Sequence, residues 1–471
     1  MSEVAKPRPR RKSKKQRPTT QTSDAKPGLA SRRTGARLLG AIMDAKTPMD
    51  ALTDDHHGHP DYLRLEPRDR SLVRAILMAA LKHRADIDAI LTTLLDRPLP
   101  GNATSLKHLL HVAITQILFL DIPDHSAVDL AVDAANADPR NRRFASLVNA
   151  ICRRTVRSKE KLLIEIKTAP RHGPAWFFKM LESAYGPDAA AAIMTAHRQP
   201  GYIDLTLKRD AECIDQIKEA VSATSLHGQS LRLTSDTLKS AEITKLPGFA
   251  DGAFWVQDVG ASIPATLLGD VAEKRVLDAC AAPGGKTAQL LDARAQVTAL
   301  DISKNRLKRL GENIERLQLS EGLTTVCSSL FDFRPEEKFD AILLDTPCSS
   351  TGTIRRHPDV PWVKSDDDVV KLAELQFKML ESAAMLLAPG GRIVFSNCSI
   401  DPREGEQLAE KLMNCETTTL IADPIQADEI SWLRGAVNAN GQVRTTPVTE
   451  FADPGITRGI DGFFAVRFRA P

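Results

Sequence analysis

Two β-type runs, Ala341-Ile342-Leu343-Leu344 and Arg392-Ile393-Val394-Phe395, each open into a loop that carries a cysteine. The first continues as Asp345-Thr346-Pro347-Cys348-Ser349-Ser350-Thr351-Gly352, the second as Ser396-Asn397-Cys398-Ser399-Ile400. A third run, Val276-Leu277-Asp278, leads into Ala279-Cys280-Ala281-Ala282-Pro283-Gly284-Gly285-Lys286-Thr287. Ligands and catalytic groups of an open parallel sheet collect at the carboxyl ends of its strands, so these three loops are expected to define one site.

The Gly284-Gly285 pair lets backbone approach a ligand closely, and the segment from Thr287 onward reads as a helix whose N-terminus faces that ligand. The turn has neither the G-x-x-x-x-G-K-[ST] nor the G-x-G-x-x-G spacing, so it is not an ordinary phosphate cradle. A second strand, Gln296 to Leu300, ends in Asp301, 23 residues beyond Asp278. A carboxylate there can accept hydrogen bonds from both hydroxyls of a ribose. The expected ligand is a nucleoside without a pyrophosphate.

On these residues the chain resembles the S-adenosylmethionine-dependent RNA cytosine-C5 methyltransferases of the Sun/Fmu type. In that family Cys-Ala-Ala-Pro-Gly-Gly-Lys binds the cofactor, which here implicates Cys280, Ala281, Ala282, Pro283, Gly284, Gly285 and Lys286. One cysteine follows the fourth strand and the nucleophilic one follows the fifth. Arg355-Arg356-His357-Pro358-Asp359, Val256-Gln257-Asp258 and Asp461-Gly462-Phe463-Phe464 match the bacterial 16S rRNA branch. The resemblance spans roughly residues 30 to 470.

The implied chemistry explains the residue types. Cytosine C5 is too weak a nucleophile to take a methyl group directly, so a thiolate first adds to C6 and creates an enamine. The resemblance gives that role to Cys398. Charge spreads toward N3 and O2 as the thiolate adds, and Asp345 is suited to bind or protonate N3. Release of the enzyme after methyl transfer is assigned by the resemblance to Cys348. A free thiol near pKa 8.5 is mostly protonated at neutral pH, so Lys286, Arg355, Arg356 and the cofactor's sulfonium are expected to favour the Cys398 thiolate. Cys152, Cys213, Cys327 and Cys415 read as inert buried thiols, and Cys280 as a packing and backbone residue.

Two departures from the family pattern stand out. Asn397 occupies the place of a common Thr before the nucleophile. The third strand, Leu323 to Cys327, runs into Ser328-Ser329-Leu330, where an acidic residue often contacts the adenine amino group. Ser328 is taken as its substitute, with Ser329 or Asp332 as alternatives.

With 471 residues and 42% hydrophobic content, the chain can bury more than one core. No apolar stretch approaches the roughly 18 residues that cross a bilayer, and the N-terminus lacks a signal-peptide core. Seven cysteines with no C-x-x-C pair argue against a disulfide framework and a zinc site. A reduced, cytoplasmic protein without a resident metal is expected. Residues 1–30 hold nine Lys/Arg against Glu3 and Asp24. Rich also in Pro, Ser, Thr and Gln, this tail is expected to be disordered, either as a phosphate-binding arm or as a solvated extension.

Residues 31–157 read as helices: Leu72-Val73, Ile76-Leu77 and Ala80-Leu81 recur at helical spacing, as do Leu106, Leu109-Leu110, Ala113-Ile114 and Ile117-Leu118. Pro98, Pro100, Pro123 and Pro139 mark the breaks. The order Arg68-Asp69-Arg70, Pro123-Asp124-His125-Ser126, then Leu147-Val148-Asn149 to Arg154 resembles the NusB RNA-binding fold. Asp54, Asp55, His56, His57 and His59 read as a polar turn rather than a metal site. Residues 158–250 alternate helices (Ala175 onward; Ala211 to Ala223) with β-type runs such as Ile203 to Leu207, which suits a small α+β module.

The expected architecture is therefore a basic tail (1–30), a NusB-like all-α domain (31–157), the small α+β module (158–250) and a Rossmann-like, seven-stranded α/β methyltransferase domain (251–471). The expected activity is transfer of a methyl group from S-adenosyl-L-methionine to C5 of a cytosine in 16S rRNA by a monomer, before full subunit assembly. Two rivals come with it. A DNA or tRNA cytosine-C5 methyltransferase is one; in the DNA class the Pro-Cys residue is the nucleophile and no second cysteine follows the fifth strand. The other is a non-catalytic RNA-binding assembly factor.

Overall fold

A computed structural model of the protein describes residues 26–233, 243–416 and 418–471. Most of the expected basic tail lies outside the described residues; its last two positions already belong to the first helix, Leu29–Ala45.

Helices fill the chain from there to Pro187–Arg198, with breaks at the expected prolines. Thr104–Phe119 is the central one. It is mostly apolar, and its residues from His108 to Leu118 are buried on every side. Such a helix is stable only when surrounded. One flank packs with Ile87, Ala131, Val148 and Ile151, while Val112 joins Leu38, Ile42, Val73 and Leu77 on the other. Each fully buried Leu or Ile there contributes about 1.5–3 kcal/mol. The polar turn at 54–59 is held locally: Asp54 accepts from His56 N and His57 N.

Next comes an antiparallel sheet of four strands in the order β2-β3-β1-β4: β1 (Ile203–Leu207), β2 (Ala223–Ser225), β3 (Ser230–Leu233) and β4 (Phe254–Val256). Its helix runs over Ile214–Ala220, shorter than the expected span from Ala211 to Ala223. Because β4 pairs with β1, the sheet takes its last strand from beyond residue 250.

The larger sheet carries β5 (Arg275–Ala279), β6 (Gln296–Asp301), β7 (Leu323–Cys327), β8 (Phe339–Asp345) and β9 (Leu387–Asn397), all parallel. Then come β10 (Ile421–Ala422), the ribbon of β11 (Leu433–Arg434) with β13 (Glu450–Phe451), β12 (Val443–Arg444) and β14 (Phe464–Arg469). The order is β10-β14-β9-β8-β5-β6-β7, with β12 beside β14. This corrects the expected seven strands to eight: the extra one is a two-residue pairing, too short to leave a pattern in the sequence. The strands at the centre are continuous aliphatic runs, as burial on both faces requires. From β5 the chain turns one way to β6 and β7 and the other way to β8 and β9. That reversal beside β5 is where an open sheet leaves room for a ligand.

The helical bundle docks on the loop that follows Cys348. Met49 N donates to Asp359 at 2.9 Å, His357 pairs with Asp50 at 3.0 Å, and Arg309 pairs with Asp54 at 3.0 Å. Among the described residues no helix is long and apolar enough to cross a membrane.

Candidate active site

The Gly-rich turn begins where β5 ends. Gly284 sits at φ 103°, and a Cβ there would lie 2.8 Å from Leu310, so only glycine fits. The helix Gly285–Asp292 starts at once, with no side chain capping its first N–H groups. Cys280 is half-buried, its thiol pushed up to about 12 chiefly by burial, which agrees with a packing role.

A cavity of ≈ 510 Å³ lies along this turn, within the range of cofactor sites. Cys280, Ala281, Ala282, Pro283, Gly285, Lys286, Asp278 and Asp345 line it, together with Trp255 of the small sheet and Asp258 just after it. Asp301 and Ser328 are not among its lining residues. Asp301 accepts from Ser303 N at 2.9 Å and Ala282 N at 3.3 Å and pairs with Arg306 at 3.3 Å. Its carboxylate thus ties the turn to the end of β6. The Ser328 hydroxyl donates to the neighbouring Ser329 carbonyl.

Asp278 borders the cavity with one oxygen bonded to Thr287 Oγ1 at 2.6 Å and the other without a partner. Burial pushes its carboxyl up to about 7. The folded protein therefore binds a proton that the unfolded chain, with a carboxyl near 3.9, releases. This group's contribution to stability is greatest below about pH 4, falls as pH rises toward 7, and then levels off. Asp278→Asn keeps an acceptor for Thr287. It is expected to match the parent at pH 4 and to exceed it at pH 8 by a few kcal/mol, at about 1.4 kcal/mol per pKa unit, in thermal denaturation.

The two cysteine loops meet beside the turn. Cys348 Sγ and Cys398 Sγ are 3.4 Å apart, and Ser350, in the left-handed region at φ 60°, brings its hydroxyl to 3.6 Å from Cys398 and 3.9 Å from Cys348. The pair is not symmetric. Cys398 is held below the ordinary thiol value, chiefly by the hydrogen bond from Cys348 and with help from Lys286, whereas Cys348 is raised well above it. The contact between the two sulfurs thus favours ionisation at Cys398. Lys286 Nζ donates to Asp345 at 2.7 Å and stands over the Phe463 ring, while Ser396 Oγ donates to the other Asp345 oxygen at 2.9 Å.

The remaining cysteines differ from one another. Cys152 is buried, its thiol pushed up to about 12. The expectation of burial is corrected for Cys327, which is exposed where β7 ends at the sheet edge, and for Cys213 and Cys415, which are half-buried.

Three distant motifs converge on one ion cluster. Asp461 accepts from Arg355 at 3.0 Å and from Arg356 Nε at 2.8 Å, and Asp461 N donates to Asp258 at 3.2 Å. Asp258 also caps the helix Val259–Thr266 through Gly260 N. Removing one member would leave a buried charge unpaired. Arg355 and Arg356 are thus spent mainly on Asp461 rather than on the thiols. Asn397, the unusual neighbour of Cys398, is fully buried, with its side chain on Glu404 O and Ser399 N. Nothing in the sequence pointed to Glu404, Gln376, Ser349 or Ser399, whose hydrogen bonds underlie both cysteine loops.

The sequence agrees with this geometry when set beside known proteins. Residues 265–469 match the family described as 16S rRNA methyltransferase RsmB/F, and residues 30–157 match the NusB family. Ribosomal RNA small subunit methyltransferase B of Vibrio cholerae is 36% identical over 72% of this chain and 80% of its own. The protein of the same name from Xanthomonas campestris is 34% identical over 85% and 91%. Among solved structures, PH0851 superposes with a TM-score of 0.69 at 20% identity, over 94% of this chain and 99% of that one, which speaks for the fold. The chain therefore belongs to the RsmB/F family, ribosomal RNA methyltransferases that depend on S-adenosylmethionine.

Proposed function

We propose that the protein methylates C5 of a cytosine in 16S rRNA through a covalent bond between Cys398 and C6. The observation that carries this reading is the pair of unequal thiols 3.4 Å apart at the ends of β8 and β9, next to a Lys286–Asp345 pair. A simple transfer to an already nucleophilic atom needs no thiol at all.

The cofactor cavity fits a cationic nucleoside. The unpartnered Asp278 oxygen and the Asp345 carboxylate border it, and the glycine turn admits close backbone contact. We assign residues 280–286 and Asp345 to S-adenosylmethionine, Asp301 to the ribose side and Ser328 to the adenine side. When bound, the cofactor supplies a methyl group made electrophilic by its sulfonium.

The protein's own groups do the rest. Cys398 attacks C6 as a thiolate, its charge supported by the Cys348 hydrogen bond. Asp345, fixed by Lys286 and Ser396, meets the N3 edge where negative charge develops. Once Cys398 is bound to carbon, its charge is gone and the anion that held the Cys348 proton disappears. Cys348 then ionises more readily and serves the release step, in which the C5 proton leaves and the C6–S bond breaks. Because Asn397 faces the buried side of its loop, its presence does not favour a non-catalytic protein.

The helical bundle and the small sheet are assigned to RNA docking, with the enzyme acting as a monomer on rRNA before the subunit is complete. Mapping 5-methylcytosine in rRNA from cells with and without the protein tests the substrate: one 16S position is expected to lose the mark. Unchanged 16S rRNA would overturn the assignment.

A further inference from the structure

Below the cysteine loops lies a polar cluster that the chemistry above does not use. Glu404, at the end of a short turn over Pro402–Glu404, is fully buried. One of its oxygens accepts from Ser349 N at 2.9 Å and from Gln376 Nε2 at 2.8 Å, and the other accepts from Ser349 Oγ. Burial raises this carboxyl, while the Ser349 and Gln376 hydrogen bonds favour its ionised form.

The cluster reaches both thiols through their chain neighbours. Gln376 Nε2 also donates to Pro347 O at 3.0 Å, so Pro347 and Ser349, on either side of Cys348, are tied to it. Asn397 Nδ2 donates to Glu404 O at 2.7 Å, and Ser399 Oγ lies 3.1 Å from Ser349 Oγ, so the residues flanking Cys398 are tied in as well. A scaffold that needed only packing here would be served by an apolar residue, since a buried carboxylate is costly.

We propose that Glu404 is a positioning residue for the methyl transfer: it fixes the spacing of the two thiols and sets a negative charge on the Cys348 side, so that Cys398 is the one to ionise. This rests on the two-thiol reading above. A nearby anion disfavours ionisation of the closer thiol, and the charge of Glu404 acts on Cys348 in that sense.

Competitive alkylation of the full-length protein with iodoacetamide, without RNA and across pH 6 to 10, tests this directly when the labelled peptides are identified by mass spectrometry. In the parent, Cys398 is expected to react first. In Glu404→Gln, which removes the charge and keeps the shape, the share of label on Cys348 at neutral pH should rise about tenfold, the change expected for one pKa unit. Its kcat should fall while the KM for S-adenosylmethionine stays put. Glu404→Asp keeps the charge and should restore the parent's labelling order. A parental labelling pattern in the Gln variant would overturn the proposal, as would equal disturbance by Gln and Asp. If the Gln variant does not fold, the Asp variant decides alone: Cys398 first supports the proposal, equal labelling contradicts it. Labelling order is read without turnover, so it fails or holds independently of the methylation mechanism.

Discussion

Cys398→Ala is expected to reduce methyl transfer by a factor on the order of 10⁴ or more, the scale seen when a covalent nucleophile is removed from a preorganised site. The structure explains why so much hangs on one sulfur. The neighbouring groups are poor substitutes: Cys348 sits on the other loop, where burial and the Glu404 charge still raise it once Cys398 is gone, and Ser350 Oγ is an alcohol without a base. Cofactor binding should survive the change. Cys398 is not among the residues lining the ≈ 510 Å³ cavity, and the turn at 280–286 is held by Asp301, which does not depend on Cys398. Transfer of labelled methyl from S-adenosylmethionine to rRNA, paired with calorimetry of cofactor binding, checks both halves. Substantial residual methylation would remove Cys398 from the chemistry. Loss of cofactor binding in the same variant would place the sulfur in the cofactor site instead.

The strands that carry the site were legible because each is a short aliphatic run closed by a residue of another character. Asp278, Asp301, Asp345 and Asn397 all fall at or next to observed strand ends. The glycine turn could be read because Gly284 occupies a conformation and a gap that no side chain tolerates. Helix periodicity gave the bundle, since Pro67–Lys82 buries a regular stripe of Val73, Ile76, Leu77, Ala80 and Leu81.

What stayed hidden depends on contacts far apart in the chain. Glu404 looks like an ordinary helix-flanking polar residue and Gln376 like an ordinary polar position inside the helix Asp366–Ala384, yet both are fully buried under the cysteine loops. Asn397 looked like a change at the catalytic centre until its side chain was found facing away from it. Arg355 and Arg356 lie seven and eight residues from Cys348 in the sequence, close enough to suggest thiolate support, but Asp461, more than a hundred residues on, takes them both. Two-residue strands such as β12 form because β14 is already there, a cause no local pattern records.

The central claim is that the two thiols divide one reaction between them, and the Cys348→Ala variant tests it most directly. If Cys348 serves only release, the variant still has its nucleophile and should add to C6 and accept the methyl group. It should then stall with RNA attached. The lost hydrogen bond raises the Cys398 pKa and slows attack, but trapping should outweigh that, because a stalled adduct accumulates over time. Incubating the variant with rRNA and S-adenosylmethionine and running denaturing electrophoresis reads the outcome. The account predicts a slow-migrating protein–RNA species that withstands denaturant and is absent from the Cys348→Ala, Cys398→Ala double variant. No such species from Cys348→Ala, together with a fully active Cys398→Ala enzyme, would contradict it and make Cys348 the nucleophile.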